Sequence, residues 1–345
     1  MVTRALIIGA TGQDGALMAR ELVREGAEVF GGFRRGGAAR LWRLKEMALL
    51  DAVQLVELDL NDMHSLVEAM KVSKPHEIYH LAGHSYVADS LRHPNVTMEA
   101  NTIGTLNVLV AAGIAAPDAR VFLASSSEAI GNSAVGVPVT ETSLPAPRNP
   151  YGLAKLCVLH LGRIYRETQG LHVVTGILFN HESPWKDRSF VTRKITVNLA
   201  RLAIEGGPPM PLGDLSAERD WGDAEEFVGA MRAIIRHDPA EDFVVSTGKL
   251  TSVRSFVESA ARAAGFDPQF EGEGLAERCV DAVSGMELAV VSPKYFRNSP
   301  TPALQGDSSR LAEAIGWRSK TSVEMLASKM VEEDKKRWIR GEHNV

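Results

Sequence analysis

A tyrosine and a lysine stand four residues apart in the segment Pro150-Tyr151-Gly152-Leu153-Ala154-Lys155. On a helix, residues at this spacing lie on the same face, one turn from each other. A phenol ordinarily titrates at about 10, and a neighbouring ammonium group favours its ionised form. A tyrosine activated in this way can accept a proton from an alcohol as hydride leaves the adjacent carbon. The pair therefore predicts the base of a hydride-transfer reaction.

A second group of reactive side chains follows the apolar run Val121–Ala124. Ser125, Ser126 and Ser127 can hold a substrate hydroxyl, and Glu128 adds a carboxylate beside them. Oxidation of an alcohol needs no second acid–base group, so the carboxylate indicates a further proton transfer, such as removal of a proton alpha to a carbonyl. The alternative is that Glu128 is a solvated turn residue.

A glycine-rich segment, Gly9-Ala10-Thr11-Gly12-Gln13-Asp14-Gly15, stands between the first predicted strand and the first predicted helix. Glycines at positions 9, 12 and 15 permit a tight turn, close approach to a pyrophosphate and close packing of helix on strand. The helix N-terminus then directs its amides at the anion. This context favours a dinucleotide site over an ordinary glycine-rich turn.

The end of the second predicted strand indicates which dinucleotide binds. It reads Phe33-Arg34-Arg35-Gly36, with two guanidinium groups where an NAD site places a carboxylate. Because guanidinium groups pair well with a 2′-phosphate, the segment favours NADP. Asp59, after the third strand, is expected to bond the adenine amino group or to be an ordinary turn aspartate.

The elements that must position these groups are short apolar strands alternating with helices. Strands are predicted at Arg4–Ile8, Glu28–Phe33, Gln54–Glu57, Glu77–Leu81, Val121–Ala124 and Val173–Leu178. Helices are predicted at Asp14–Glu25, Asp62–Val72, Thr97–Ala112 and Tyr151–Thr168. This alternation is typical of an α/β protein with a doubly wound parallel Rossmann-type sheet. The serines then follow a strand whose C-terminal end faces the ligand crevice.

The second half of the chain is richer in proline and glycine, which predicts a smaller α/β substrate-binding lobe over residues 179–345. Residues 1–178 are predicted to form the NADP-binding domain, with segments near 220–250 crossing back to it. The remaining predicted elements are a helix from Asp220 through Ile235, a strand at Asp242–Ser246, and helices at Ser252–Ala264 and Ser322–Trp338.

Composition excludes several classes of protein for this chain of 345 residues. Its net charge of -5 argues against nucleic-acid binding, and no apolar segment predicts a membrane span. Two cysteines without metal-ligand spacing fit a reducing cytoplasm. His76, His80 and His84 are spaced by four, but they run through a predicted strand, so no metal site is expected.

The chain resembles the extended short-chain dehydrogenase/reductases and, more narrowly, the GDP-mannose 4,6-dehydratase family. The resemblance rests on the glycine turn, Ser125–Glu128, the tyrosine–lysine segment and several further motifs. These are Arg34-Arg35, Ile78–Ala82, Gly104-Thr105-Leu106, Gly176–Pro184, Phe190–Thr196, Arg219–Gly222 and Leu304–Asp307. It implies an NADP-dependent hydro-lyase of nucleotide-sugar metabolism.

The resemblance also implies a role for each reactive side chain. Tyr151, next to Lys155, would deprotonate the sugar 4-hydroxyl, which Ser126 would bond, while NADP takes the C4 hydride. Glu128 would remove the C5 proton, water would leave from C6, and the hydride would return to C6. The product would be a GDP-4-keto-6-deoxy sugar.

Binding residues carry over from the resemblance position by position. Cofactor contacts are expected from Gly9, Thr11, Gly12, Gln13, Asp14, Gly15, Arg34, Arg35, Asp59, Leu60, Leu81, Ala82, Gly83, Ser85, Tyr151, Lys155, Leu178 and His181. Substrate contacts are expected from Ser85, Ser126, Glu128, Asn180, Val191, Lys194, Arg219 and Arg278. A homodimer or homotetramer is implied, in which residues 34–43 would reach a neighbour's cofactor.

Departures from the family pattern leave the sugar and the base open. They occur at His84, Tyr86, Ile130, Trp185, Lys186, Asn298 and Pro300. GDP-mannose is therefore expected as substrate, with another GDP-sugar such as a GDP-heptose as the alternative. Two other functions stay open, a nucleotide-sugar 4-epimerase or 4-ketoreductase and a non-catalytic dinucleotide sensor.

Overall fold

The computed structural model describes residues 2–34, 36, 41–131, 136–296 and 303–343. Two compact units are formed, each from three segments of the chain. Unit 1 comprises Met1–Phe179, Ala224–Ser246 and Gly306–Arg318, and unit 2 comprises Asn180–Asp223, Thr247–Gln305 and Ser319–Val345. The assignment of cofactor to one part of the chain and substrate to the other stays a prediction.

The helices and strands follow one another along the chain. The strands are β1 (Arg4–Ile8), β2 (Glu28–Phe33), β3 (Val53–Glu57), β4 (Glu77–His80), β5 (Arg120–Ser126), β6 (Val173–Leu178), β7 (Asn180–Glu182), β8 (Met210–Leu212), β9 (Glu218–Asp223), β10 (Asp242–Val245), β11 (Leu250–Ser252), β12 (Pro268–Glu271), β13 (Arg278–Asp281) and β14 (Glu287–Val291). The helices are α1 (Gln13–Arg24), α2 (Trp42–Glu46), α3 (Met63–Ser73), α4 (Val87–Arg92), α5 (Pro94–Met98), α6 (Gly104–Ala115), α7 (Pro150–Gln169), α8 (Val191–Glu205), α9 (Ala224–Ile235), α10 (Val253–Ala264), α11 (Ser309–Ile315) and α12 (Val323–Ile339).

Unit 1 contains a seven-stranded sheet in the order β3-β2-β1-β4-β5-β6-β10. Every neighbouring pair is parallel. The order reverses between β1 and β4, which creates the switch point where such sheets bind ligands, at the C-terminal ends of the strands. The predicted doubly wound parallel sheet is confirmed.

The strands of this sheet are apolar on both faces because helices cover both of them. Leu6 and Ile8 of β1 pack with residues of α3 and α6 in one buried cluster. Ile7, between them, is equally buried and belongs to the opposite face of β1. On α1, Arg20 lies 2.9 Å from Glu225 of α9, which links these two helices.

Unit 2 contains a three-stranded sheet, β11-β9-β7, and a four-stranded sheet, β12-β13-β14-β8. Its apolar core includes side chains of α8, α10 and α12, such as Leu199, Phe256 and Met330. Arg193 and Asp334 form a fully buried ion pair between α8 and α12. These helices therefore form one packed layer on the sheets of the unit.

Two predicted helices differ clearly from the observed elements. Asp220 does not begin a helix: residues 218–223 form β9, and α9 begins at Ala224. The Asp220 carboxylate instead accepts hydrogen bonds from the amides of Thr247 and Gly248, at 2.9 Å each. The helix predicted at Thr97–Ala112 begins earlier, at Pro94, and is interrupted by a wider turn over Glu99–Ile103.

Candidate active site

In the glycine turn between β1 and α1, close backbone contacts leave no room for a side chain at position 9 or position 15. A Cβ on Gly15 would lie 2.1 Å from the carbonyl oxygen of Gly9, and a Cβ on Gly9 would lie 2.7 Å from the amide nitrogen of Ala82. Gly9 also has a φ of +100°, which L side chains rarely adopt. The helix and the loop after β4 therefore both approach the turn closely.

The N-terminus of α1 is capped by Gly12, which contributes no side-chain oxygen to the first helical amides. Gln13 donates a hydrogen bond of 2.8 Å to Asp14, the acidic residue of the first turn. The carbonyl of Thr11 accepts a hydrogen bond of 3.1 Å from Arg43. A helix N-terminus without a side-chain cap, next to glycines at positions 9 and 12, fits the pyrophosphate of a dinucleotide.

Arg43, to which the sequence analysis assigned no individual role and which it placed only within the segment 34–43 predicted to reach a neighbour's cofactor, lies near the glycine turn. Its side chain is buried to 9% exposure, and its guanidinium lies 4.4 Å from the ring centre of Trp42. The signal in the sequence is a fourth arginine, ten residues after the second strand, which three nearer arginines obscured. Arg34 is exposed, whereas Arg35 lies outside the described residues.

The loop after β3 contains the predicted cofactor residues Asp59 and Leu60. The Asp59 carboxylate accepts a hydrogen bond of 2.9 Å from the amide of Asn61, as a turn aspartate does. The carbonyl of Leu60 accepts one of 2.8 Å from Asn107. The structure thus shows a turn-forming role for Asp59, and its contact with adenine stays a prediction.

The loop after β4 is held by the buried side chain of Asn101. This amide accepts a hydrogen bond from the backbone nitrogen of His84 at 2.8 Å and donates one to its carbonyl at 2.9 Å. A Cβ on Gly83 would lie 2.5 Å from the amide oxygen of Asn101. Leu81, Ala82, Gly83 and Ser85, predicted to contact the cofactor, belong to this clamped loop. Sequence reasoning missed Asn101, which no local pattern distinguishes.

His80, at the end of β4, is a core residue. Its Nε2 lies 3.0 Å from the hydroxyl of Thr105, and burial lowers its pKa to about 3. Among the described residues, no group of three histidine, cysteine, aspartate or glutamate side chains is arranged to hold a metal ion.

Tyr151 and Lys155 lie on the first two turns of α7, next to the end of β5. The ammonium of Lys155 donates a hydrogen bond of 2.7 Å to the carbonyl of Ala124 and lies 5.8 Å from the centre of the Tyr151 ring. Ser125 donates one of 2.8 Å to the carbonyl of Lys155. The structure therefore brings the tyrosine–lysine pair and the serines together.

The serines differ from the sequence-based expectation in one respect. Strand β5 does not stop at Ala124 but continues through Ser126, because its parallel pairing with β6 extends to Leu178. Ser126 then caps a single helical turn, accepting a hydrogen bond of 3.3 Å from the amide of Glu128. Strand pairing thus positions Ser126 directly, and the turn that follows positions Glu128.

Burial dominates the electrostatics of the pair. It raises the pKa of Tyr151 to about 12, although a hydrogen bond with Ser126 acts in the opposite direction. Burial lowers the pKa of Lys155 to about 8, which the nearby charge of Asp14 partly offsets. At neutral pH the chain alone therefore keeps the phenol protonated and most of the lysine charged.

Glu128 is held by Asn149, another residue that the sequence analysis did not identify. Asn149 donates a hydrogen bond of 2.9 Å to the Glu128 carboxylate and accepts one of 2.7 Å from the amide of Gly152. A Cβ on Gly152 would lie 2.4 Å from the carbonyl oxygen of Glu128. The turn carrying Glu128 is therefore packed against the start of α7. The sequence signal that could have identified Asn149 is its place directly before Pro150, where a residue that caps a helix is expected.

Unit 1 also contains Leu178, which is buried at the end of β6. The remaining predicted binding residues belong to unit 2 and lie on different elements. Asn180 and His181 are in β7, Val191 and Lys194 begin α8, Arg219 is in β9 and Arg278 begins β13.

Several of the unit 2 residues have partners of their own. The carbonyl of His181 accepts a hydrogen bond of 2.8 Å from Lys186. Lys194 lies 4.0 Å from the ring centre of Tyr295, and its pKa is lowered by burial and by Lys294. The guanidinium of Arg278 bridges two carboxylates on the neighbouring strands, Glu271 at 2.8 Å and Glu287 at 3.0 Å. Contacts of these residues with substrate stay predictions.

The comparison with known protein families agrees with the resemblance seen in the sequence. The sequence model of the family described as GDP-mannose 4,6 dehydratase matches residues 6–330. A GDP-mannose 4,6-dehydratase of Sinorhizobium fredii is 40% identical over 337 residues, covering 96% of each chain. One of Vibrio cholerae is 35% identical over 353 residues, covering 97% of this chain and 95% of the relative.

Solved structures agree with the fold. RMD from Pseudomonas aeruginosa, complexed with NADPH, superimposes with a TM-score of 0.76 at 23% identity, covering 97% of this chain and 100% of that one. UDP-glucose 4-epimerase from Thermotoga maritima gives 0.81 at 22% identity, covering 97% and 99%. No helix in the described part of the chain combines the length and apolarity that crossing a bilayer requires. From the near-complete match of the family model and the identities of its relatives, the chain is a member of the GDP-mannose 4,6-dehydratase family.

Proposed function

We propose that this protein is an NADP-dependent hydro-lyase that converts GDP-mannose to GDP-4-keto-6-deoxymannose and water. The observation that carries the proposal is the grouping of Tyr151, Ser126 and Glu128 around the start of α7. Membership in the family supports the same reaction. Two proton-transfer groups side by side are what an oxidation followed by an elimination requires.

Tyr151 would accept the proton of the sugar 4-hydroxyl, and Ser126 would bond the same oxygen. Because burial raises the pKa of Tyr151 to about 12, the phenol needs stabilisation of its anion before it can act as a base. The Ser126 hydrogen bond supplies part of that stabilisation, and the charge of Lys155 is positioned to add to it.

Glu128 would perform the second proton transfer. Oxidation at C4 makes the proton on C5 acidic, Glu128 removes it, and the C6 hydroxyl leaves with a proton as water. The role of Glu128 separates this reaction from 4-epimerisation and 4-ketoreduction, neither of which removes the C5 proton. The half-buried side chain, held by Asn149, suits a group that must face a bound sugar.

The glycine turn supports NADP as the cofactor. Gly9, Gly12 and Gly15 would receive the pyrophosphate at the N-terminus of α1, with Thr11, Gln13 and Asp14 beside it. Arg34 and Arg35 would bind the 2′-phosphate. When bound, NADP would store the hydride released from C4 until it is returned to C6, so no net reduction of the cofactor results.

Unit 2 would supply the contacts to the nucleotide diphosphate. Lys194, Arg219 and Arg278 carry the charges that bind phosphate strongly, and Asn180 and Val191 would contact the remainder of the nucleotide. The second candidate substrate is another GDP-sugar, such as a GDP-heptose. The reason is that the chain departs from the family pattern at His84, Tyr86, Ile130, Trp185 and Lys186.

We also propose a cytoplasmic homodimer or homotetramer. The two cysteines are free thiols, which agrees with a reducing compartment. Light scattering at working concentration tests the assembly, and a monomer would contradict it.

The function is tested by incubating the purified protein with GDP-mannose and a catalytic amount of NADP, and then measuring the mass of the nucleotide sugar. Loss of one water from the nucleotide sugar, without accumulation of NADPH, is the expected result. A 4-keto sugar formed without water loss, in an amount equal to the NADPH formed, would indicate a ketoreductase, and an isomer of unchanged mass would indicate an epimerase. Tight NADP binding without turnover on a panel of nucleotide sugars would indicate a sensor.

A further inference from the structure

Asn149 makes two hydrogen bonds that together determine the orientation of its amide group. Its oxygen accepts from the backbone amide of Gly152, at 2.7 Å, as the N-cap of α7. The opposite end of the amide is therefore the NH₂ group, which lies 2.9 Å from Oε2 of Glu128. Since a backbone amide can only donate, the amide cannot be turned around without losing both bonds.

One of these bonds contacts Glu128, and the other contacts the helical turn that carries Tyr151. The cap bond sets the first turn of α7, on which Tyr151 lies. The second bond holds the carboxylate of Glu128, which belongs to the turn after β5. Gly152 adds to the arrangement, because a Cβ there would lie 2.4 Å from the carbonyl oxygen of Glu128. One amide therefore links the group that begins the reaction with the group that completes the elimination.

We propose that Asn149 is a positioning residue for the elimination step, a role that rests on the proposed dehydration. Its NH₂ group holds Oε2 of Glu128, and Oε1 would accept the C5 proton. A glutamate has several rotatable bonds, so a carboxylate without this bond would sample other rotamers and reach the proton less often. The oxidation at C4, which depends on Tyr151, does not use this bond.

The variant Asn149→Ser separates the two bonds. Serine is a good N-cap, so the start of α7 keeps its cap, but the hydroxyl is too short to reach the Glu128 carboxylate. We expect water loss from GDP-mannose to slow about 10- to 100-fold, with hydride exchange at C4 within about threefold of the wild type. Asn149→Asp also keeps the cap but places a carboxylate against Glu128, and we expect at least the same loss.

A control addresses the stability of the fold. Asp62 caps α3 by accepting from the amide of His64, in the same unit but on another helix. Asp62→Ala should lower the melting temperature without changing the ratio of water loss to hydride exchange. Asn149→Ser should instead change that ratio with little effect on the melting temperature.

The position of the Glu128 carboxylate in crystal structures gives a readout that does not depend on activity. We expect the Glu128 carboxylate to be rotated in Asn149→Ser relative to its position in the wild type. A Glu128 carboxylate that keeps its wild-type position in Asn149→Ser would overturn the proposal. A rate of water loss by this variant equal to that of the wild type would also overturn it. If the wild type dehydrates no nucleotide sugar, the proposed function fails, and rotation or retention of Glu128 still decides whether Asn149 positions it.

Discussion

The side chain of Lys155 is anchored to the backbone of Ala124 by a hydrogen bond of 2.7 Å from ammonium to carbonyl. Ser125, the next residue of β5, donates a bond of 2.8 Å back to the carbonyl of Lys155. Helix α7 is thereby fastened to the end of the strand at the residue that follows Tyr151 by one turn. The tyrosine and the serines are held together by the backbone as well as by their own side chains.

The glycine turn should tolerate no added methyl group at position 15. A Cβ there would lie 2.1 Å from the Gly9 carbonyl, so Gly15→Ala must displace either α1 or the turn. We expect the Kd for NADP, measured by calorimetry, to rise at least tenfold. Gly113→Ala is the matched control, because that glycine lies in α6 with nothing within 4 Å of an added Cβ. Equal affinity in the two variants would contradict a pyrophosphate site at the turn.

Ser126 should control the proton affinity of Tyr151. Because its hydrogen bond lowers the pKa of the phenol, Ser126→Ala should raise that pKa further and shift the pH profile of C4 hydride exchange to higher pH. We expect the rate at neutral pH to fall roughly tenfold or more, the cost of a hydrogen bond to a charged group. Ser126→Thr keeps the hydroxyl and should restore the profile. An unshifted profile in the alanine variant would exclude this role.

Glu128→Gln should separate the two halves of the proposed reaction. The amide cannot accept the C5 proton, so we expect water loss to fall by a factor of about 100 or more, whereas hydride exchange at C4 continues. The two rates are measured by mass spectrometry and by transfer of deuterium to the cofactor. Glu141→Gln is a control, because that carboxylate accepts a bond from the amide of Val244 at 2.8 Å and has no proposed catalytic role. Normal dehydration by Glu128→Gln would show that another group removes the proton.

His80 should make the folded state sensitive to acid. Its pKa is lowered by burial and by Lys155 to about 3, from 6.5, so the unfolded chain binds its proton at higher pH than the folded chain. The stability contributed by neutral His80 is present above pH 6.5 and is lost as pH falls towards 3. Between pH 7.5 and 5 this loss is about 2 kcal/mol.

Urea unfolding at both pH values measures this effect. His80→Asn removes the titrating ring, so its free energy of unfolding should depend less on pH than that of the wild type. His64→Asn changes an exposed histidine and serves as the control. Parallel pH dependence in the wild type and His80→Asn would contradict the assignment.

Much of the fold could be predicted from local patterns. The bounds of β1, β2 and β6 agree with the predicted strands, and α7 extends one residue beyond its prediction at each end. The strands are largely buried and apolar, and glycine or proline marks the end of β1 at Gly9 and both ends of α7 at Pro150 and Gly170, so apolar pattern and breakers coincide there. The strand β9 was missed because its pairing with β7 and β11 is made with residues far along the chain.

The sequence by itself determined the chemical groups, the parallel sheet and the family, since each depends on residue types at fixed spacing. Only the tertiary structure decided how those groups are held. Two hydrogen bonds join different elements: the bond from Asn149 to Glu128, and the bond of Asn101 to the loop after β4. The burial that raises the pKa of Tyr151 also results from the packing of different elements. Such contacts depend on how helices pack on strands, and a local sequence pattern does not show which distant residues this packing brings together.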